Sequence, residues 1–184
     1  MEQRTLRLRP PRPSDEDVVL AAQREMADDG FLFALHLEEG DDFEEWCDRV
    51  AAYARGDVGD TGLVPGDFLL AEVDGMIVGR ASIRHELNEF LLRDGGHVGY
   101  GVRPAFRRRG HATDILCQSL GRLRSLGIER VLVTCDDDNV ASIAVIGRAG
   151  GELDGRVELD DGRVVRRYWI DQASTGFNAP ESTS

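Results

Sequence analysis

The sequence has no lysine: all 22 basic residues are arginine, set against 34 acidic residues and a formal net charge of −12. No internal ammonium group is therefore available for acylation. The global acidity argues against sequence-independent binding to nucleic acid, which needs many cations to neutralise phosphates. It leaves open the binding of one small polyanion by a local basic patch. Cysteine is scarce. Cys47, Cys117 and Cys135 lie far apart, with no C-x-x-C pair, which speaks against a disulfide framework and a zinc site, so no metal is expected. Each reads as a small buried apolar group. Long hydrophobic runs are missing too. No window approaches the roughly 18 apolar residues of a transmembrane helix, and the opening MEQRTLRLRP lacks the apolar segment of a secretory signal. No membrane partner is expected, and a cytoplasmic location is the default. Both G-x-G-x-x-G and G-x-x-x-x-G-K-[ST] are absent, which sets aside the common dinucleotide and mononucleotide binders.

What remains is a chain of 184 residues, 41% hydrophobic and 30% charged, long enough for one domain with a sizeable core. RTLRLR alternates as a short strand would. PPRPSDED breaks structure and offers Ser14 as a helix cap. Val18, Val19, Ala22 and Met26 follow at helical spacing. A second helix fits residues 42–55, where Phe43, Trp46, Val50 and Tyr53 recur every three or four positions. DFLLAEVDGMIVGRASIRHEL reads as two strands joined at Asp74-Gly75, and EFLLRDGG as a connector. GGHVGYGV is a glycine-rich strand. Residues 111–126 form an amphipathic helix closed by Gly127. RVLVTC has the continuous apolar character of a strand buried on both faces. Asn139 caps a further helix, and two strands turning at Asp161-Gly162 complete a mixed α/β (α+β) domain over residues 1–170. Residues 171–184 read as a polar tail. There is no internal repeat and no linker.

The stretch GYGVRPAFRRRGHATDIL gathers Arg103, Arg107, Arg108 and Arg109 around Gly110 where the long helix begins. A helix N-terminus presents unpaired N–H groups and a partial positive charge. Following a strand, with Gly110 and Ala112 stripping bulk from the approach, it can seat a diphosphate. The arginines can add planar two-point contacts to phosphate oxygens.

R-x-x-G-x-A, between a strand ending in V-x-P and an amphipathic helix, resembles the acyl-CoA-binding motif of the GNAT N-acetyltransferases. The resemblance continues through RVLVTC, through D-D-D-N139-V-A-S142, and to a Gly-Gly pair where that family usually has Gly-Phe. It spans residues 68–170. RHELNEFL and GGHVGYGVRP also resemble a subgroup of predicted acetyltransferases of unknown substrate. The resemblance implies a mostly antiparallel central sheet with a splayed strand pair and helices on both faces. It implies acetyl-CoA as cofactor. Backbone groups of Tyr100, Gly101 and Val102 would pair with the pantetheine arm. Arg107, Arg108, Arg109, Gly110, His111, Ala112 and Thr113 would hold the pyrophosphate. Asn139, and less strongly Ser142, would touch the cofactor from the next helix. An N–H near Val102 would face the thioester carbonyl, an interaction worth roughly 2.7–4 kcal/mol per donor in other acyl-transfer sites.

An acceptor amine must lose a proton before it attacks. His97 is the first candidate base, at a position resembling one where the family often carries a carboxylate; a histidine that only bonds to backbone at a sheet edge is the rival explanation. His85 and Glu86 come next, and strand alternation sends them to opposite faces. The family's usual acid, a tyrosine seven residues after the cap asparagine, is replaced by Ile146. Another common location for its base is Thr134. The donor to the leaving thiolate is then water, Ser142 or a tyrosine from elsewhere. The sequence thus points to an acetyl-CoA-dependent N-acetyltransferase in which a primary amine, on a small molecule or a peptide, attacks the thioester directly. A non-catalytic acyl-CoA-binding module is the alternative, and a homodimer is left open.

Overall fold

The computed structural model describes residues 5–173. Seven strands form one sheet in the order β1-β2-β3-β4-β5-β7-β6. They are β1 (Arg7–Arg9), β2 (Gly66–Val73), β3 (Met76–Arg84), β4 (Val98–Val102), β5 (Arg130–Asp136), β6 (Glu152–Glu158) and β7 (Val164–Asp171). Every neighbouring pair is antiparallel except β4 and β5. The β2–β3 hairpin turns where expected, with Asp74 and Gly75 both at positive φ (50° and 76°), the geometry of a two-residue turn matched to strand twist.

Five helices cover the sheet: α1 (Glu16–Ala27), α2 (Phe43–Ala54), α3 (Glu89–Arg93), α4 (His111–Ser125) and α5 (Val140–Arg148). On one face, Val19, Ala22 and Met26 of α1 and Phe43, Trp46 and Val50 of α2 pack on Phe68 and Leu70. On the other, Ile115, Leu116 and Leu123 of α4 and Val145 and Ile146 of α5 join Val131 and Val133. The alternating strands of the middle therefore serve two cores, which fixes their register.

Three boundaries differ from the sequence reading. Ser14 is exposed in a short 3-10 turn, and Asp15 organises the start of α1 instead. The Asp15 carboxylate accepts from the Arg12 N–H at 2.8 Å and receives Arg9 at 2.7 and 2.8 Å. Arg9 holds that carboxyl below the usual range. The EFLLRDGG connector contains α3, begun by Asn88, whose side chain accepts from the Leu91 N–H at 2.9 Å. The expected tail begins later than residue 171. Gln172 is buried, its N–H donating to Glu129 and its side-chain amide to Ile128. Residues 174–184, the rest of the expected tail, lie outside the described residues.

Candidate active site

The central feature is where two neighbouring strands part. β4 and β5 share one register pair, Val98 with Val133. Just before it, His97 and Leu132 are tied together. Beyond it, β4 stays paired to β3 from Gly99 to Val102, and β5 stays paired to β7 from Thr134 to Asp136. Their facing edges are thus left without ladder partners. Alternation along β4 turns the backbone polar groups of Tyr100 and Val102 toward this gap. A parallel edge of this kind is a template for an extended chain carrying amides.

The loop from β4 to α4 lies at the open end. Arg103 forks onto Glu25 at 2.7 and 2.9 Å and donates to the Ile77 carbonyl. Arg107 donates to the Val102 carbonyl and pairs with Asp29. Two of the four clustered arginines therefore pin this loop to the last turn of α1 and the residues just after it. Arg109 reaches the Ala105 carbonyl at 3.1 Å. Arg108 makes no hydrogen bond or ion pair among the described residues and sits in the left-handed region at φ 62°. Gly110, at φ 90°, precedes the first turn of α4, and a Cβ built on it would meet nothing within 4 Å. The N–H groups of Gly110, His111 and Ala112 find no acceptor among the described residues, whereas Thr113 donates back to Gly110. Free amides, open space and one unpaired guanidinium fit a diphosphate.

On the far side of the gap, Asn139 caps α5, its Oδ1 accepting the Ser142 N–H at 3.0 Å. Ser142 is half-buried in that first turn. Tyr100 projects from β4 toward α5. Its hydroxyl is buried and makes no hydrogen bond of good geometry within the described chain, although the Ser142 hydroxyl is its polar neighbour. Burial pushes this phenol up to about 12. Cys135, on β5, adjoins it, and burial raises that thiol to about 11. Ile146 is fully buried in the core, and Thr134 Oγ1 accepts the Gly95 N–H at 2.9 Å.

The proton-transfer candidates separate. His97 is 6% exposed, and its Nδ1 accepts the Leu132 N–H at 2.9 Å. Its neutral ring then carries the proton on Nε2 and has no lone pair left for an amine. Burial, with Arg84 nearby, lowers its pKa to about 4. His85 turns to the other side of the sheet, where Nε2 meets Asp67 at 3.0 Å, and Asp67 also holds Arg122 of α4. Glu86 is exposed beyond the end of β3. His85 and Glu86 are therefore not gathered at the gap.

Sequence reasoning passed over the residues on the α1–α2 side of β3 and β4. Arg80, Ser82 and Arg84 alternate along one face of β3, opposite Gly101 and Gly99. Gly101 leaves no room for a Cβ, which would run into Phe31, and a Cβ on Gly99 would stand 3.1 Å from an Arg84 nitrogen. Beside this row lies a cavity of about 430 Å³, walled by Trp46, Phe68, Val50 and Tyr53 and edged by the polar His36, Arg49 and Asp57.

Residues 5–152 match the acetyltransferase (GNAT) domain family. No curated protein sequence matches the chain. Among solved structures, the chain is similar to RimJ of Mycobacterium smegmatis in complex with CoA-disulfide, with TM-score 0.67 and 21% identity over 94% of this chain and 85% of that one. It is similar to RimL, the ribosomal L7/L12 alpha-N-protein acetyltransferase in complex with coenzyme A, with TM-score 0.65 and 21% identity over 92% and 96%. The yncA protein of Salmonella typhimurium, solved with its cofactor acetyl-CoA, gives TM-score 0.63 and 15% identity over 97% and 99%.

Proposed function

The chain belongs to the GNAT acetyltransferase domain family, and on that premise we propose that it transfers the acetyl group of acetyl-CoA to a primary amine. The observation that carries the reading is the parting of β4 from β5 immediately beside a helix whose leading amides are free. Several solved relatives in fold hold acetyl-CoA or coenzyme A, which supports the same assignment here. Gly110, His111, Ala112 and Arg108 would hold the diphosphate, and the β4 edge at Tyr100 and Val102 would pair with the pantetheine amides. Bound there, acetyl-CoA supplies an activated acyl carbon.

The remaining chemistry falls to side chains of this chain. Tyr100 keeps a proton on its phenolic oxygen at every working pH, and among the described residues the Ser142 hydroxyl stands near it. It is the donor available to the departing sulfur, with Ser142 beside it, in place of the side chain that Ile146 lacks. The Val102 N–H, on the gap edge, would stabilise negative charge on the carbonyl oxygen. His97 holds the base of the gap closed instead of abstracting a proton, so the amine loses its proton through water. The acceptor is an amine on a small molecule or on a peptide N-terminus; the name of RimL gives the second kind for that relative.

The binding-module alternative rests on Ile146 and Thr134, whose side chains are engaged in the core and by Gly95. Thiol release from acetyl-CoA across an amine panel, with calorimetric binding of acetyl-CoA, decides between them. Turnover with any amine supports transfer. Binding without turnover on all of them supports the module. Absence of binding ends both.

A further inference from the structure

Two guanidinium groups converge over Gly99, at the point where β4 leaves β5. A Cβ there would lie 3.1 Å from Arg84 Nη1 and 3.8 Å from Arg80 Nη1. Neither arginine has a carboxylate within 4.0 Å among the described residues. Buried cations are ordinarily paired, so this convergence requires an account.

Arg80 is provided for. It is 6% exposed and donates to the carbonyls of Phe33, Gly99 and Leu32 at 3.1, 3.3 and 2.6 Å, and it covers the Phe31 ring. It fastens the α1–α2 connection to β4. Arg84 is different. Its one well-formed hydrogen bond runs from Nη1 to the Gly95 carbonyl at 3.3 Å. The Tyr53 hydroxyl lies beside it, and Asp94, the carboxylate nearest in effect, is engaged by Arg163. Between the two arginines on the same strand face, Ser82 is fully buried and its hydroxyl has no partner. The row is rich in donors, and among the described residues only backbone carbonyls and the Tyr53 hydroxyl are at hand to receive them.

The geometry points to Arg84 as the anchor for an anionic group on the acceptor, so that the substrate is an amine with a carboxylate close to its nitrogen, a free α-amino acid with an apolar side chain. This rests on the acetyl-transfer reading above. The planar fork suits a carboxylate. The adjoining cavity of about 430 Å³, bounded by Trp46, Phe68 and Tyr53, suits an apolar side chain. Tyr53 belongs to that wall, and its hydroxyl lies over Gly66, the strand partner of Arg84, which sets the anchor beside the cavity wall. Positive charge beside the bound amine also favours its neutral, attacking form. A peptide N-terminus has an amide where this carboxylate would be and leaves Arg84 unanswered.

The test compares L-leucine and L-phenylalanine with their carboxamides and with the dipeptides Leu-Gly and Phe-Gly. Two readouts are used: thiol release from acetyl-CoA, and tryptophan fluorescence, which reports binding at Trp46 without turnover. The free acids are expected to exceed the carboxamides and dipeptides by about 10-fold or more in kcat/KM, carried by KM, as loss of a charge-assisted contact implies. Arg84→Gln should erase the difference and leave acetyl-CoA affinity unchanged, and Arg84→Lys should restore part of it. Equal use of acids, amides and dipeptides by the wild type overturns the assignment, as does a folded Arg84→Gln that keeps the preference. If Arg84→Gln does not fold, the wild-type comparison alone decides. If no amine is acetylated but fluorescence still separates acid from amide, the transfer reading falls and the anchor stands.

Discussion

His97 and the backbone of Leu132 form a two-way bridge, made through the backbone N–H of His97 and its imidazole Nδ1. The His97 N–H donates to the Leu132 carbonyl at 2.8 Å, and the Leu132 N–H donates to His97 Nδ1 at 2.9 Å. A side chain thereby supplies the acceptor that a continuing parallel strand would have offered, one residue before the single β4–β5 register pair at Val98 and Val133. The gap has a closed end because of this residue.

The bridge makes stability depend on pH with a defined sign. The folded-state pKa of His97 is lowered from 6.5 to about 4 by burial. Between those values the unfolded chain binds more protons than the folded one, so stability falls as pH falls through that window and is unaffected by this group above it. The loss over the window is about 2 kcal/mol after allowance for solvent screening. His97→Gln keeps an acceptor for Leu132 and does not titrate. Thermal melts at pH 7 and pH 4.5 should show a larger drop for wild type than for His97→Gln. Equal drops would mean that the ring is not held neutral.

Gly110→Ala separates room from conformation. Gly110 has φ 90°, and nothing in the protein lies within 4 Å of an added Cβ. The substitution therefore costs about 1 kcal/mol of stability from the left-handed backbone alone. The methyl group would occupy the space assigned to the diphosphate, and acetyl-CoA affinity should fall about 10-fold or more. Calorimetry together with a melt checks both numbers. Unchanged affinity in the folded variant would show that the amides of this turn do not face the ligand.

Much of this was legible in the sequence because it repeats with a period. The hairpin at Asp74-Gly75, the glycine-rich strand and the helix opening at Gly110 follow from local chemistry. α3 was missed because five residues are too few to show a helical period, and its signal was the single cap Asn88. Arg80, Ser82 and Arg84 were missed for a different reason. Alternating polar residues on a strand ordinarily mark a solvent face, and here that face lies under the α1–α2 connection. His97 was legible as a polar group at the gap. Its role was one of two readings the sequence left open, base or backbone-bonded histidine, because a side chain replacing a strand's hydrogen bond leaves no periodic trace to choose between them.

Arg108→Gly should trade cofactor binding for stability. Arg108 holds φ 62° without a partner among the described residues, a conformation that costs a non-glycine residue of the order of 1 kcal/mol. Glycine removes the strain and the guanidinium together. The expected result is a melting temperature equal to or above wild type, with acetyl-CoA affinity reduced about 5- to 10-fold and a weaker dependence on salt. Arg107→Ala, whose residue pairs with Asp29, should leave the salt dependence closer to wild type. A folded Arg108→Gly with wild-type affinity at low salt would remove this side chain from the cradle.

Tyr100→Phe bears on the proton donor. The hydroxyl is buried and lacks a well-formed hydrogen bond among the described residues, so deleting it removes an unsatisfied polar group and should leave stability unchanged or raise it by about 1 kcal/mol. The ring keeps its packing against the α4–α5 core. If the hydroxyl supplies the departing sulfur with its proton, kcat should fall about 10- to 100-fold while acetyl-CoA affinity holds. Since burial raises the phenol to about 12, wild-type activity should show no loss from its ionisation below about pH 11. A Tyr100→Phe enzyme that is more stable and equally fast would assign the hydroxyl no part in transfer and leave Ser142 or water as the donor. A more stable and slower one fits a group whose partner arrives only with the substrate, and the two outcomes are separated by kcat alone.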